Sequence, residues 1–260
     1  MHSTLQNNIF SQLFVGLNIV SLPSVDSTNS WLKHALSNSA PLPEGTVIMA
    51  EEQYAGRGQQ GNRWTSEPGR NLTISILLMP AFLPVDKQFS LNQTVSLALY
   101  DTLSRYFDKR ATIKWPNDCM VGDEKIGGIL IENIIQGNRM KYSVIGIGLN
   151  VNQIEYPEPV KNVTSFKKIL QRDYDLKRLL SEICAAIEVR YLQLKAGKAD
   201  LLDMEYQSCL YKKGIDARFR TGDEIKRGKI LGTDPLGLLE VDFNGDTCRF
   251  GLKEIEYLSD

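Results

Sequence analysis

At 260 residues, with 42% hydrophobic and 23% charged side chains, the chain has the make-up of an ordinary globular protein. That length suits one large domain, or one of about 200 residues joined to a small one. The formal net charge of −1 provides no overall field for drawing in nucleic acid, and two histidines (His2, His34) with four scattered cysteines exclude a structural zinc site or a histidine-dependent nucleophile pair.

At the N-terminus no basic segment precedes an apolar core, so no leader peptide is expected. Leu17–Leu22 reads as a short strand, followed by Pro23 and the polar run Asp26-Ser27-Thr28-Asn29. Trp31, Leu32, Ala35 and Leu36 recur at helical spacing, which makes Asp26 or Ser27 the expected N-cap. Thr46–Ala50 is a strand leading into a glycine-rich run, and Leu72–Met79 is the strand leaving it. A helix is expected from Asp86 to Tyr106, with Phe89, Leu91, Val95, Leu99 and Leu103 on one side.

Thr112–Trp115, Cys119–Val121, Ile126–Ile135 and Lys141–Val151 follow as strands, with turns at Gly122-Asp123 and Gly137-Asn138. Two helices are expected next, Leu176–Leu194 and Asp200–Tyr211. From Lys213 short strands alternate with the turn signatures Thr221-Gly222-Asp223, Asp234-Pro235-Leu236-Gly237 and Asn244-Gly245-Asp246, the texture of a small β-barrel. The expected organisation is therefore a main domain over 1–212 and a barrel over 213–260. The most apolar stretch, Ile74–Val85, is broken by Pro80 and Pro84 and is too short to span a bilayer. With Cys119, Cys184, Cys209 and Cys248 isolated from one another, a cytoplasmic protein with no membrane partner is expected.

Four runs carry chemistry. The first, Glu51 to Trp64, holds three glycines, two arginines and four side-chain amides. Its Gly56-Arg57-Gly58-Gln59-Gln60-Gly61 matches the dinucleotide pattern, but that pattern must open a helix, and Asn62 to Gly69 leaves no room for one. Two readings stay open. One is a solvated surface loop. The other is a lid, disordered when empty, whose glycines admit a phosphate while Arg57 and Arg63 donate forked hydrogen bonds and Trp64 covers the ligand.

The second run is Lys114-Trp115-Pro116-Asn117-Asp118 continued by Gly122 to Glu132. Alternation puts Lys125, Gly127, Ile129 and Ile131 on one strand face, and Gly128, Leu130 and Glu132 on the other. Adjacent glycines weaken a strand, so Gly127-Gly128 needs a bulge or a ligand lying against the backbone. Lys125 taken alone reads as an exposed hairpin lysine. In the third run Gly146, Gly148, Asn150 and Asn152 share one face, opposite Ile145, Ile147, Leu149 and Val151. Two glycine-stripped strands would form a slot for a flat ligand. The fourth run, Asp26 to Asn29, is a plain helix cap or a site for a small polar head group such as a cyclic urea.

Together these runs resemble the biotin–protein ligases. The loop is similar to their Gly-Arg-Gly-x-x-Gly segment with its following tryptophan, and Lys114 to Asp118 through Lys125 and Gly127-Gly128-Ile129-Leu130 is similar to their central signature. Gly146–Asn150 and Ser27-Thr28-Asn29 match as well, so the resemblance extends from Ser24 to Asn152, and the C-terminal segment resembles their SH3-like domain. Two departures stand out: Gln59 replaces an arginine frequent in relatives, and only 26 residues precede Ser27, too few for the winged helix some relatives carry. No operator DNA or other nucleic acid is expected as a partner.

The resemblance implies an α+β fold, a central mixed or antiparallel sheet with flanking helices of class II synthetase type, plus the barrel. It implies a ligase that converts biotin and ATP, with Mg²⁺ on the nucleotide, to biotinyl-5′-AMP. That adenylate would then modify a lysine of the biotin carboxyl carrier domain of acetyl-CoA carboxylase or a related carboxylase. In this reading Lys125, Arg57 and Asp118 are catalytic. Biotin would be bound by Ser27, Thr28, Asn29, Gln53, Arg57, Gly58, Gln59, Lys125, Gly127, Gly128 and Gly146. Arg63, Trp64, Lys114, Asn117 and Asn150 would lie toward the nucleotide, and no residue would bind a metal directly. A monomer or a homodimer would serve equally. The competing expectations are a lipoyl or octanoyl ligase or transferase, whose central motif differs from Lys-Trp-Pro-Asn-Asp, and a non-catalytic biotin sensor.

Overall fold

The computed structural model describes residues 14–38, 42–157 and 162–258; His2 and the N-terminal stretch read as leader-free lie outside them. In chain order the main body comprises β1 (Ile19–Val25), α1 (Thr28–Asn38), β2 (Val47–Gln53), β3 (Leu72–Leu78), α2 (Gln88–Phe107), β4 (Ala111–Lys114), β5 (Asp118–Val121), β6 (Glu124–Gln136), β7 (Arg139–Leu149), α3 (Phe166–Leu170), α4 (Leu176–Lys195) and α5 (Ala199–Ser208). The C-terminal strands are β8 (Asp216–Thr221), β9 (Glu224–Thr233), β10 (Leu239–Phe243), β11 (Asp246–Phe250) and β12 (Glu256–Tyr257).

The seven strands of the main body form one sheet in the order β1-β2-β3-β7-β6-β5-β4. Only β1 and β2 run parallel, so the sheet is mixed as expected, with helices flanking it. The central position of β3 follows from its composition, because all seven of its residues are buried. Leu72, Ile74, Ile76 and Leu78 join the main core, which also contains Leu91, Val95 and Leu99 of α2 and Ile183, Ile187 and Tyr191 of α4. Leu77 faces the other way, packing with Ile48, Val144 and Leu32 of α1. Alternation puts Thr73 and Ser75 on that second face too. Two hydroxyl residues in an otherwise aliphatic strand mark the side where the site lies.

The strands expected from the sequence all form, and helix boundaries differ by a few residues at most. The five-residue α3 was not anticipated, since it is too short to show a helical period; Ser165 caps it, with its Oγ accepting the Lys168 N–H at 3.1 Å. At α4, Asp175 Oδ1 accepts the N–H groups of Lys177 and Arg178 at 2.9 and 3.2 Å. Asp175→Ala is expected to cost about 1 kcal/mol of stability. For a protein of this size that lowers the melting temperature by about 2–4 °C, as thermal unfolding would read.

The C-terminal strands form a separate antiparallel sheet, ordered β11-β10-β9-β8-β12. The turn glycines Gly222 and Gly245 take φ of 58° and 101°, which is why glycine stands at those reversals. This sheet is tied to the main body where Trp115 Nε1 donates to Gly237 O at 2.9 Å. No described helix is long and apolar enough to cross a membrane.

Candidate active site

On the face away from α2 and α4, helix α1 packs on β2, β3 and β7. The rest of that face is roofed by the glycine-rich loop, and beneath it lies a cavity of about 400 Å³.

One end of the cavity is polar and mostly uncharged. Ser27 and Thr28 are buried at the start of α1, and the Ser27 carbonyl accepts the Trp31 N–H at 2.9 Å, so Ser27 occupies the expected cap position. The orphan Thr28 N–H donates not to a local side chain but to Gln53 Oε1 on β2, at 2.8 Å. Ser75 Oγ lies 2.7 Å from Thr28 Oγ1 and 2.6 Å from Asn29 Oδ1. Thr28 Oγ1 donates its one proton to Gln53 Oε1 at 3.0 Å, so Ser75 is the donor to both Thr28 and Asn29, sharing its single proton between the two acceptors. Asn29 Nδ2 in turn donates to Glu132 Oε2 at 2.9 Å. A polar cluster thus connects Gln53 and Thr28, through Ser75 and Asn29, to the carboxylate of Glu132.

The glycines between the two ends serve the protein's own side chains. A Cβ on Gly146 would lie 2.6 Å from Asn29 Oδ1, and one on Gly148 would lie 2.6 Å from Cζ2 of Trp64. Trp64 therefore lies flat on bare backbone. The slot expected for a flat ligand is partly filled by an indole and a carboxamide, and the cavity opens beside them.

The other end is charged. Lys125 Nζ sits 2.5 Å from Asp118 Oδ1, and a Cβ on Gly128 would be 3.4 Å from that same amine. Alternation had placed Lys125 with Gly127, Ile129 and Ile131, and the structure corrects this. Met120 pairs with Lys125 and Cys119 with Gly127, so Ile126 is an extra residue in β6. The bulge buries Ile126 and turns Lys125 to the face of Gly128 and Leu130. It is held by the Asn162–Thr164 segment, with Lys125 N–H donating to Asn162 O at 2.8 Å and Thr164 N–H to Lys125 O at 2.9 Å.

Lys114 lies beside this pair with its Nζ 4.7 Å from the ring centroid of Tyr257. Burial pulls the Lys114 ammonium below the usual lysine range; Asp118 opposes the shift, and Lys125 and Lys212 add to it. Arg63 also lines the cavity and has no ion-pair partner among the described residues. The positive charge here exceeds what Asp118 neutralises, which is the electrostatics of an anion site.

The glycine-rich loop forms a small hairpin. Gly58 N–H donates to Asn62 O at 2.7 Å and Trp64 N–H to Gly56 O at 3.1 Å, which places Arg57 directly opposite Arg63. Like charges opposite one another are unfavourable. Arg57 is relieved by Glu132, with its two terminal nitrogens 3.4 and 3.1 Å from the two carboxylate oxygens, and Lys33 Nζ joins at 2.6 Å. Burial would raise the Glu132 pKa, but hydrogen bonds from Lys33 and Asn29 and the charges of Lys33 and Arg57 leave it below the usual carboxylate range.

Of the residues expected at the site, Ser27, Thr28, Asn29, Gln53, Arg57, Gly58, Gln59, Arg63, Trp64, Lys114, Asn117, Asp118, Lys125, Gly128 and Gly146 all border this cavity. Gly127 does not; its missing Cβ would point at Gly148 O, 2.8 Å away, and at Leu149, because β7 lies against it. Asn150 does not either. It is buried past the end of β7, with Nδ2 donating to Thr164 O at 3.1 Å and its N–H to Ile126 O at 2.8 Å, so it braces the bulge. Asn117 borders the cavity, yet its amide donates to Ile129 O at 2.6 Å. Arg57 and Lys125, both expected to be catalytic, have different partners: Arg57 lies on Glu132 and Lys125 on Asp118.

Sequence reasoning missed Ser75 and the Glu132–Lys33 pair, although the hydroxyl in β3 was a usable signal. It also missed Leu252, Lys253, Ile255, Glu256 and Tyr257, through which the C-terminal segment walls the cavity. Nothing in that segment's turn-and-strand pattern marks those residues.

This combination of sheet, hairpin and cavity has counterparts among known proteins. Residues 21–150 match the biotin/lipoate A/B protein ligase family, and the chain belongs to that family. It is 30% identical over 226 residues to the bifunctional ligase/repressor BirA of Bacillus subtilis, covering 86% of this chain and 69% of the relative. It is 27% identical over 237 residues to the biotin–[acetyl-CoA-carboxylase] ligase of Mycobacterium tuberculosis, covering 89% and 86%. Among solved structures, the biotin protein ligase of Aquifex aeolicus in complex with biotin and ATP superposes with a TM-score of 0.78 at 25% identity, over 94% of this chain and all of that one.

Proposed function

We propose that the chain is an ATP-dependent ligase that activates biotin as biotinyl-5′-AMP. It then transfers the acyl group to a lysine of a biotin carboxyl carrier domain, such as that of acetyl-CoA carboxylase. One observation carries this reading: a single cavity joins a hydroxyl-and-amide cluster at one end to unneutralised cations at the other. A neutral cyclic urea suits the first end. A carboxylate meeting a phosphate suits the second.

Ser27, Thr28 and Gln53 take the ureido head, with Asn29 locked behind them, and Gly58, Gln59, Gly128 and Gly146 border the ring and chain. Lys125, Lys114 and Arg63 surround the point where a carboxylate oxygen attacks the α-phosphorus and pyrophosphate leaves. Trp64 Nε1 is buried without a partner, which costs about 1–3 kcal/mol until a ligand acceptor reaches it. In the second step the acceptor amine attacks the acyl carbon, AMP leaves with the bonding pair, and the amine sheds a proton. Asp118, beside Lys125, orients that amine or takes the proton. Mg²⁺ would come with the nucleotide, whose phosphates supply its ligands.

The enzyme works in the cytoplasm in this reading, with residues 1–212 as the catalytic domain and 213–260 as a barrel that closes one wall of the site. Incubating the chain with biotin, MgATP and a carrier domain is expected to add one biotinyl group to the carrier, read by intact mass. No gain with biotin, or an equal gain with lipoate or octanoate, would overturn the assignment.

A further inference from the structure

The forked end of Arg57 does not reach toward the reacting end of the cavity. It lies on Glu132, which also receives Lys33 and Asn29, and neither Lys33 nor Glu132 borders the cavity. Glu132 is four residues along β6 from Gly128, where the Lys125 amine sits; that is roughly 13 Å along a strand. Arg57 and Lys125 therefore mark opposite ends of the site.

A hairpin of this length has little stability of its own, so its position depends on what holds it to the body. Trp64 rests on Gly148 at one leg, and from the other Arg57 reaches Glu132 and, at 3.5 Å, Ser30 Oγ, beyond the backbone bond from Ala55 N–H to Asp26 O at the base. Because Arg57 stands opposite Arg63, fastening the first leg also sets where the unpaired guanidinium of the second points.

We propose that Arg57 and Glu132 form a clasp that fastens the glycine-rich hairpin over the cavity. Glu132 is then a positioning residue, and Arg57 is the hairpin's anchor rather than the counter-ion of the reacting carboxylate. Release of anything held beneath the hairpin requires the clasp to open. The polar cluster of Thr28, Ser75 and Asn29 ends on the same carboxylate, so the head-group end and the clasp share one hydrogen-bonded network.

The consequence for the adenylate rests on the ligase reading; the clasp itself does not. The test uses the full chain with Glu132→Gln, Arg57→Gln, the double variant and the swapped pair Arg57→Glu/Glu132→Arg. Hydrogen exchange at amides 56–64 without ligand reads the clasp, and dissociation of biotinyl-5′-AMP reads its effect. Each single variant is expected to speed exchange in the hairpin and adenylate release roughly tenfold. The double variant should be no worse than either single one, the swapped pair should recover part of the loss, and kcat at saturating biotin should stay within a few-fold of wild type while KM rises. Lys33→Gln, which leaves both clasp members in place, should keep hairpin exchange near wild type, and melting curves confirm that each variant is folded.

Unchanged hairpin exchange in Glu132→Gln would overturn the clasp. So would additive losses in the double variant, or a collapse of kcat in Arg57→Gln alone. If wild type released no pyrophosphate with biotin and MgATP, the ligase reading would fail while the ligand-free exchange still decided the clasp.

Discussion

Lys125→Ala is expected to lower biotin-dependent pyrophosphate release by at least about 10²–10³-fold, the loss seen when one preorganised donor to a developing charge is removed. The first step brings a carboxylate against a polyphosphate. Two unit charges 4 Å apart repel by about 1 kcal/mol in water and about 4 kcal/mol at an effective dielectric of 20. A closed hairpin moves the site toward the second figure, so the fixed cation matters more as water leaves. Lys114 does not take over, because its ammonium is seated over the Tyr257 ring, 4.7 Å from the centroid. Lys125→Arg should restore little, since a planar fork does not reproduce the compact ammonium held against Asp118.

Folding should survive the change. The Lys125 side chain is 34% exposed, and the bulge is held by backbone bonds to Asn162 and Thr164 that alanine keeps. A pyrophosphate assay beside a melting curve separates the outcomes: activity retained in the folded variant would remove Lys125 from the chemistry.

Gly148→Ala and Gly146→Ala are expected to fail in different ways, although the two glycines share one face of β7. At Gly148 the new methyl strikes the indole of Trp64, which lies on a half-exposed hairpin and can swing away. The hairpin then loses its apolar seat. Biotin affinity should fall about 10–100-fold, or about 1.4–2.8 kcal/mol, with little change in melting temperature. At Gly146 the methyl strikes the Asn29 carboxamide, which cannot yield because Ser75, Leu130 and Glu132 all hold it. Overpacking of this kind costs about 1–3 kcal/mol of stability. At about 2–4 °C per kcal/mol, the melting temperature should fall visibly. Calorimetric titration with biotin and a thermal scan of each variant check the contrast; normal binding by Gly148→Ala would show that Trp64 does not hold the hairpin down.

Much of this protein is legible in its residues, because the determinants are local. Strand alternation over Ile145–Leu149, the helical period of α2 and the turn glycines of the C-terminal sheet all follow from backbone geometry and the need to bury apolar faces. Most residues that border the cavity also lie in the runs singled out from the sequence, though Gly127 and Asn150 do not border it. Glycines where side chains belong, and amides and arginines where a helix or strand would exclude them, marked these runs as unusual from the sequence, although the structure shows that Gly146 and Gly148 make room for Asn29 and Trp64. The motifs supplied the rest.

The direction of each side chain was a different matter. A single extra residue, Ile126, turned Lys125 to the opposite face from the one alternation assigned, and what holds that bulge is a segment more than thirty residues away. The partner of Arg57 lies 75 positions along the chain, and Tyr257, which stacks on Lys114, lies in the other sheet. Such contacts are set by where β6 meets α1 and where the two sheets dock. Spacing within a segment encodes which residues gather on a surface; charge pairing and bulges depend on surfaces meeting across long loops, and no local period records that.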